Sequence, residues 1–292
     1  MRRSFLAALS LSLLAGSVAC SWPQQVLATD SNLRNWPKQL VLGTYPSELP
    51  SEELEKIDPV RRGLEKRLAA AGFPVAIEIQ IFRSYEEALQ LLVGGRVDFV
   101  RLGPVSYVLA RRHDGRLKLL GMETQNHSKT LTGYIFVHAR SSVRSLRELR
   151  GRSVAFGSEN STTGRYFPQS ALVDAGVHAR DLAGFRYLGR HDRVLRAVGP
   201  AGFDAGASNE VTFDKYGVEK RLRVIHTMRS PAHAWVAKAG LPDFVTERLR
   251  EALLAATERE LAGLSRDGIV GASDQDFESV RKALLNAERF GG

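Results

Sequence analysis

Residues 153–164 have the sequence SVAFGSENSTTG. The run from Ser153 to Phe156 predicts a short strand, and a helix is predicted from about Ser161 to Ala175, with a bend at Pro168. In a sheet flanked by helices, such a strand-to-helix turn lies at the carboxyl end of the strand, which is where ligands bind. The segment therefore predicts an α/β fold whose binding residues follow its strands.

The same alternation of strands and helices covers the chain from about Gln39 onward. Two long helices, 243–264 and 277–288, close it. This order predicts parallel sheets with helices on both faces. The predicted strands are 40–43, 75–81, 97–100, 117–122, 133–138, 153–156, 185–188, 203–205 and 222–225.

Three signals predict where the early helices begin and end. Asp58 followed by Pro59 predicts an N-cap and a first helical position, and Gly72 predicts the end of that helix. Ser84 with Glu87 has the spacing of a capping box, which predicts the start of the next helix.

The N-terminus is typical of a signal peptide over residues 1–19. Arg2 and Arg3 precede an apolar stretch from Phe5 to Ala19, which is short for a membrane span. Cys20 follows directly, a position that predicts lipidation and a lipoprotein. Cleavage after Ala28 is the alternative, and it would release a free periplasmic protein.

Residues 20–38 are rich in polar residues and proline, so they predict a tether. Because Cys20 is the only cysteine in the chain, no disulfide is expected.

The charge pattern favours anionic partners. The chain has 292 residues and a net charge of +9, which falls to +7 when Arg2 and Arg3 are removed. It contains no basic run with interleaved aromatic residues, and an exported protein does not meet nucleic acid. A small anion is therefore the expected ligand, although a solvated basic surface is the better explanation of the overall charge.

The hydroxyl residues Ser161, Thr162 and Thr163, followed by Gly164, give the sharpest binding signal. Side-chain hydroxyls and free amides at a helix start converge well on a tetrahedral oxyanion. The alternative role is plain helix capping by Ser161 or Thr162.

Further candidates follow other predicted strands. His191 could donate a hydrogen bond to an anion, and Asp204 could orient a ligand proton or amine. Capping and loop anchoring are their alternative roles. In the first half, the candidates for a cleft wall are Tyr45, Ser106 and Tyr107, with Arg101 as a possible charge.

Signals for catalysis are poor. The chain has no G-x-S-x-G elbow, no phosphate-binding Walker loop and no H-E-x-x-H pair. Its seven histidines lack metal-ligand spacing, so neither a metal nor a cofactor is expected. A hydrolase that uses the hydroxyl residues and His191 is the remaining enzymatic hypothesis.

Together these segments resemble the phosphate/phosphite/phosphonate-binding proteins of ABC importers, over roughly residues 39–285. The resemblance is carried by residues 42–46, 84–89, 94–98 and 102–107 in the first half and by residues 155–164, His191 and 203–206 in the second. Thr163 stands where the family more often has serine. Arg101 is an unusual cation beside Leu102-Gly103-Pro104.

The resemblance implies a type II periplasmic-binding fold. Residues 39–132 with 230–292 would form lobe one and residues 133–229 lobe two, with crossings near Thr132 and Ser230. A small phosphorus oxyanion would bind between two doubly wound α/β lobes, and the monomeric protein would deliver it to an ABC permease. A sensor with the same fold is the alternative. By the same resemblance, the ligand would meet Tyr45, Ser106, Tyr107, Ser161, Thr162, Thr163, Gly164, His191 and Asp204.

Overall fold

The computed structural model describes residues 34–45, 50–219 and 221–291, without the side chains of Pro50 and Tyr85. The predicted signal peptide 1–19, Cys20 and the cleavage site at Ala28 lie outside these residues. Within the described ranges, no helix combines the length and apolar character needed to cross a membrane.

Six strands form the first sheet. They are β1 (Gln39–Thr44), β2 (Ala76–Ile81), β3 (Phe99–Leu102), β4 (Lys118–Thr124), β10 (Ala234–Ala237) and β11 (Gly268–Val270). Their order across the sheet is β11-β4-β10-β3-β1-β2.

Five strands form the second sheet. They are β5 (Thr130–His138), β6 (Ser153–Phe156), β7 (Gly184–Tyr187), β8 (Ala205–Asn209) and β9 (Leu222–Pro231). Their order is β7-β6-β8-β5-β9.

Both sheets are mixed, so the prediction of parallel sheets is wrong in part. β1 runs parallel to β2 and β3, and β6 runs parallel to β7 and β8. β10 is antiparallel to β3 and β4, and β5 is antiparallel to β8 and β9. β5 and β10 are each the first strand after the chain passes from one sheet to the other, so neither follows a crossover helix from a strand of its own sheet.

The helices are α1 (Pro50–Ala70), α2 (Tyr85–Val93), α3 (Pro104–His113), α4 (Phe167–Asp174), α5 (His191–Ala197), α6 (Glu210–Tyr216), α7 (Asp243–Leu254), α8 (Glu258–Leu261) and α9 (Glu278–Phe290).

The Ser84 prediction is confirmed, because its Oγ accepts a hydrogen bond from Glu87 N at 3.1 Å. Gly72 follows the end of α1 with a φ of 86°, as a terminating glycine should.

The start predicted at Asp58 is wrong, because Pro59 lies inside α1. Two acidic residues, Glu52 and Glu53, occupy the true first turn and favour a helix start there. The buried Ile57 and Val60 hold the middle of the helix in the core, and this packing compensates for the amide hydrogen bond that Pro59 lacks.

The predicted helix 243–264 is interrupted after Leu254. Thr257 begins a new helix through a capping box, in which its Oγ1 accepts from Glu260 N and its amide donates to Glu260 Oε2 at 3.0 Å. A local cap therefore overrides the continuous apolar pattern.

The chain passes from the first sheet to the second between Thr124 and Thr130, and it returns between Pro231 and Ala234. α9 packs against α4 beside the second sheet and also touches α3 of the first. Trp36, within the predicted tether, packs against Phe73 at a ring-centroid distance of 4.8 Å. The two connections between the sheets put a cleft where β3, β6 and β8 end.

Candidate functional site

A cleft of about 270 Å³ lies between the two sheets. The ends of β1 and β3, the start of α3 and the segment before β11 form one side. The turn after β6 and the starts of α5 and α6 form the other. Its central lining residues are Tyr45, Arg101, Gly103, Pro104, Ser161, Thr162, Thr163, His191, His233 and Arg266.

The structure brings Ser161, Thr162 and Thr163 together in this cleft, and we call these three residues the hydroxyl turn. All three are buried, and Ser161 Oγ accepts a hydrogen bond from Gly164 N at 3.1 Å. A π-helical turn from Thr162 to Tyr166 precedes α4. The amides of Thr162 and Thr163 open this turn, where no earlier carbonyl of the turn can pair with them.

The sequence predicts a bend at Pro168. In the structure, the chain changes there from the π-helical turn to the α-helix α4. Pro168 stands in the first turn of α4, a position that tolerates its missing amide. The carbonyl of Gly164 is used elsewhere, since it accepts from Gly157 N at 2.8 Å.

Gly164 supports the hydroxyl turn from behind and does not line the cleft. A Cβ on Gly164 would lie 3.0 Å from the Cα of Gly157 and 2.9 Å from Ser161 Oγ. Two backbones therefore meet here at a distance that only glycine allows. The structure gives Gly164 a packing role, and its predicted contact with the ligand stays a prediction.

His191 is the first residue of α5 and is buried beside the hydroxyl turn. A Cβ built on Gly157 would lie only 3.6 Å from His191 Cε1, so the ring covers the start of this turn. Its neighbours Arg190 and Asp192 pair with each other at 3.0 Å. Of these three residues, His191 is the one whose side chain lines the cleft.

Across the cleft, the start of α3 meets the hydroxyl turn directly. Val105 N donates to Thr162 Oγ1 at 3.1 Å, and Gly103 N donates to the hydroxyl of Tyr45. Burial raises the pKa of Tyr45 to about 12, against the effects of Gly103, Arg101 and the Ser106 hydroxyl. Tyr45 is therefore a neutral hydroxyl in the cleft at any physiological pH.

Behind this side lies a buried charged group that we call the arginine cluster: Arg101, Glu123, His233 and Arg266. Arg101 donates from Nε and Nη2 to the two carboxylate oxygens of Glu123 at 2.5 and 2.9 Å. Arg266 Nε donates to Glu123 Oε2 at 3.0 Å, and Arg266 Nη1 donates to Gln125 Oε1 at 2.9 Å. His233 Nδ1 lies 3.6 Å from Glu123 Oε2.

Opposing effects set the ionisation of the arginine cluster. Burial opposes ionisation of Glu123, but the charge and hydrogen bonds of Arg101 and the charge of Arg266 lower its pKa to about 2. Burial and the Arg101 charge lower the pKa of His233 well below 6.5, so this imidazole is neutral at pH 7. Two guanidinium groups, which stay protonated, thus share one carboxylate.

Besides Gly164, three predicted residues lie outside the main cleft. The hydroxyl of Tyr107 donates to Asp274 Oδ1 at 2.9 Å, and its ring packs on Phe277. Asp204 accepts from the amide and hydroxyl of Ser153 at 2.8 and 2.9 Å, so it anchors a loop. Ser106 lines a smaller neighbouring cavity of about 170 Å³.

Sequence reasoning missed Glu123, His233 and Arg266, and it left the place of Arg101 open. They stand far apart in the chain, so no motif joins them. One signal was available: Arg101 and Glu123 interrupt the buried apolar strands β3 and β4. A charge inside a buried strand requires a partner, which the other strand supplies.

Further charged residues line the cleft, and one of them, Glu53, is buried near Arg101. Glu53 and Lys56 lie on the first-sheet side, and Glu210 and Lys215 lie on the second-sheet side. Glu210 accepts from Gln125 Nε2 at 2.9 Å, which links the two sides. Among the described residues, no three His, Cys, Asp or Glu side chains group as metal ligands. The donors in the cleft are hydroxyls, amides and guanidinium groups, which suit an oxyanion.

Comparison with known sequences agrees with this chemistry. A family model described as "ABC transporter, phosphonate, periplasmic substrate-binding protein" matches residues 42–277. The phosphate-import protein PhnD of Mycolicibacterium smegmatis is 25% identical over 224 residues, which are 73% of this chain and 67% of the relative. The probable ABC transporter phosphite binding protein PhnD1 of Prochlorococcus marinus is 32% identical over 114 residues, which are 38% and 36% of the two chains.

Solved structures share the architecture. PhnD1 of Prochlorococcus marinus, in complex with methylphosphonate, superposes with a TM-score of 0.75 at 21% identity over 86% of this chain and 99% of that one. XAC2383 from Xanthomonas citri, bound to ATP, has a TM-score of 0.72 at 22% identity over 87% and 98%. These likenesses confirm the predicted two-lobed type II periplasmic-binding fold.

Proposed function

Because the chain belongs to the family of periplasmic substrate-binding proteins of phosphonate ABC transporters, we propose that it captures a small phosphorus oxyanion in the cleft and delivers it to an ABC permease. The observation that carries this proposal is the buried hydroxyl turn, which faces Tyr45 and Arg101 across the cleft. Methylphosphonate, phosphite and phosphate are the ligands and cargoes named for its relatives.

In this proposal the hydroxyl turn holds the oxyanion. Ser161 Oγ and Thr162 Oγ1 each accept one hydrogen bond from an amide, so each hydroxyl hydrogen remains to be donated to an anion oxygen. The opening amides of the turn and the ring of His191 add donors on the same side. Tyr45 adds a neutral hydroxyl from the other side.

The proposal is tested by calorimetry on the purified mature protein with methylphosphonate, phosphite and phosphate. At least one of them should bind, and Thr162→Ala should weaken that binding by about 1–3 kcal/mol, because a ligand oxygen loses its donor in a closed cleft. Thr227→Ala is the matched control, since Thr227 is exposed on β9 away from the cleft.

Two results would contradict the proposal. The first is the absence of binding by all three anions, in calorimetry and as a rise in melting temperature. The second is an unchanged affinity in Thr162→Ala, which would remove the hydroxyl turn from the site.

We propose binding without turnover. Ser161 Oγ is engaged as a cap by Gly164 N, and this supports a holding role over a nucleophilic one. Incubation with phosphate esters should release no product, and Ser161→Ala should not change that result. Turnover that disappears in Ser161→Ala would establish a hydrolase.

Residues 1–19 are proposed as the export signal, with Cys20 as the lipid attachment site and the periplasm as the location. Mass spectrometry of the protein expressed from its full sequence distinguishes an acylated Cys20 from cleavage after Ala28. The proposed lobes are 39–132 with 230–292 and 133–229, which is supported by the division of the strands between the two sheets. A monomer is proposed as the working form, and light scattering tests it.

A further inference from the structure

An arginine stands directly behind the hydroxyl turn. Arg165 follows Gly164 in the chain, and among the described residues it is not one of those that line the cleft. Its amide and that of Tyr166 both donate to the carbonyl oxygen of Ser161, at 3.1 and 3.2 Å. The backbone of Arg165 therefore helps to close the turn that presents the hydroxyls.

The side chain of Arg165 bonds to the chain on the other side of the turn. Its Nη1 donates to the carbonyl oxygen of Glu159 at 2.6 Å, two residues before the hydroxyl turn begins. Because the donor is a cation, this hydrogen bond is stronger than one between neutral groups. One residue thus ties the chain that enters the turn to the chain that leaves it.

The guanidinium group of Arg165 is itself held in place by α4 and β7. It lies 4.7 Å from the ring centroid of Tyr166 and 5.2 Å from that of Tyr187, both within the range of a cation–π contact. Its Nε donates to Gln169 Oε1 at 3.4 Å. Gln169 is buried and donates from Nε2 to the hydroxyl of Tyr187 at 2.8 Å. The bond to Glu159 is therefore made from a fixed position.

We infer that Arg165 is a positioning residue of the anion site, which keeps the hydroxyl turn in its binding conformation before the ligand arrives. This inference rests on the proposed function, and it adds a residue that acts on the ligand only through the turn. Without the bond to Glu159, fewer ligand-free molecules hold the turn in this conformation, and the apparent affinity falls by the same fraction. A direct contact, such as the one proposed for Thr162, acts in the bound state instead.

Two measurements on Arg165→Met test the inference, with whichever of methylphosphonate, phosphite and phosphate the unmodified protein binds most tightly. Calorimetry should show an affinity lower by about fivefold or more. Hydrogen exchange followed by mass spectrometry should show residues 157–166 exchanging about fivefold faster or more in the ligand-free variant. When the ligand saturates the site, their exchange should return to the native rate. Loss of a direct ligand contact would leave the ligand-free exchange unchanged.

Arg186→Met is the matched control, since it removes a positive charge at an exposed position of β7 beside Tyr187. It should change neither the affinity nor the exchange. Arg165→Lys keeps the charge but lacks the flat group that stacks on the rings and bonds to two acceptors at once. It should show both effects, by about threefold or more, and it decides the question if Arg165→Met does not fold.

Four results would overturn the inference and leave the proposed function standing. The first is native affinity in both variants. The second is weaker binding with native exchange in the ligand-free protein, which would make Arg165 a direct ligand contact. The third is native affinity in Arg165→Lys alone, which would assign the effect to charge. The fourth is faster exchange throughout the second sheet, which would give Arg165 a general stabilising role. If the unmodified protein binds none of the three anions, the proposed function itself fails.

Discussion

The two sides of the cleft use opposite chemistry. The hydroxyl turn presents neutral groups from three consecutive residues, held by a local cap at Ser161. The arginine cluster presents charge from residues on separate strands and loops, held by a fully buried carboxylate at Glu123. The first side needs only a correctly built turn, whereas the second exists only when the whole first sheet is assembled.

This difference predicts where each side is vulnerable. Loss of the hydroxyl of Thr162 or Thr163 should cost ligand affinity and little stability, because the Ser161 cap still holds the turn. Loss of the shared carboxylate should cost stability first, because two buried cations lose their partner. The following changes test that contrast.

Glu123→Gln should have the largest effect. Removing the carboxylate takes away the one acceptor that Arg101 and Arg266 share, so the free energy of unfolding should fall by about 3–5 kcal/mol. Urea unfolding at pH 7 measures it. Glu55→Gln, at an exposed position of α1, is the control and should change stability by less than about 0.5 kcal/mol. An equal effect of both changes would show that the cluster does not hold the first sheet together.

Acid should destabilise the protein by protonating the same carboxylate, that of Glu123. The pKa of Glu123 is lowered from 4.5 to about 2 in the folded state. The ionised Glu123 therefore contributes to the free energy of unfolding above pH 4.5, and this contribution is lost as the pH falls toward 2. A pKa shift of this size corresponds to about 3 kcal/mol. The neutral His233 adds a loss of stability below pH 6.5, because the unfolded state then binds a proton that the folded state does not.

Urea unfolding of the native protein and Glu123→Gln between pH 3 and 7 separates these effects. The difference between their unfolding free energies should shrink as the pH falls below 4.5, since all other carboxylates are common to both. Curves that stay parallel down to pH 3 would contradict the role given to Glu123.

Gly164→Ala should affect both stability and binding. Its new Cβ would press on the Gly157 backbone and on Ser161 Oγ, so the free energy of unfolding should fall by about 1–3 kcal/mol and the anion should bind more weakly. Gly184→Ala adds the same methyl group to open space and should leave affinity unchanged. If Gly164→Ala bound the anion with native affinity, the hydroxyl turn would have to accommodate the added methyl group without moving its donors.

Tyr107→Phe should have the smallest effect. The change removes one hydrogen bond to Asp274 and should cost about 1 kcal/mol of stability, with no change in anion affinity. Tyr45→Phe removes a hydroxyl that faces the cleft and accepts from Gly103 N, so it should lower the affinity as well as the stability. If the two variants exchanged these effects, the ligand would lie on the far side of α3.

The sequence predicts the local parts of this site well. The hydroxyl turn and His191 each lie in one contiguous segment between a strand and a helix, so spacing alone places them at a strand end. The arginine cluster depends on the order of strands in the first sheet, where β10 lies between β3 and β4. That strand has only four residues, and the sequence analysis did not predict it, so nothing linked Arg101 to Glu123.

Two further misses have local causes. Pro59 is a strong signal for a helix start, but the buried face of α1 outweighs the loss of one hydrogen bond. Tyr107 was expected in the cleft because it follows the Gly103 turn. The helical rotation of α3 instead turns its ring toward Phe277.

The hydrogen bond from Val105 N to Thr162 Oγ1 has a consequence for the kinetics of release. A neutral bond of this kind contributes only about 1 kcal/mol, or a factor of roughly five in an equilibrium. Together with the bond from Gln125 Nε2 to Glu210 Oε2, it holds the two sides of the cleft together only weakly, so the protein without ligand should open often. The residence time of a captured anion is then set by the anion's own bonds to both sides, so ligands of different affinity should differ mainly in how slowly they leave.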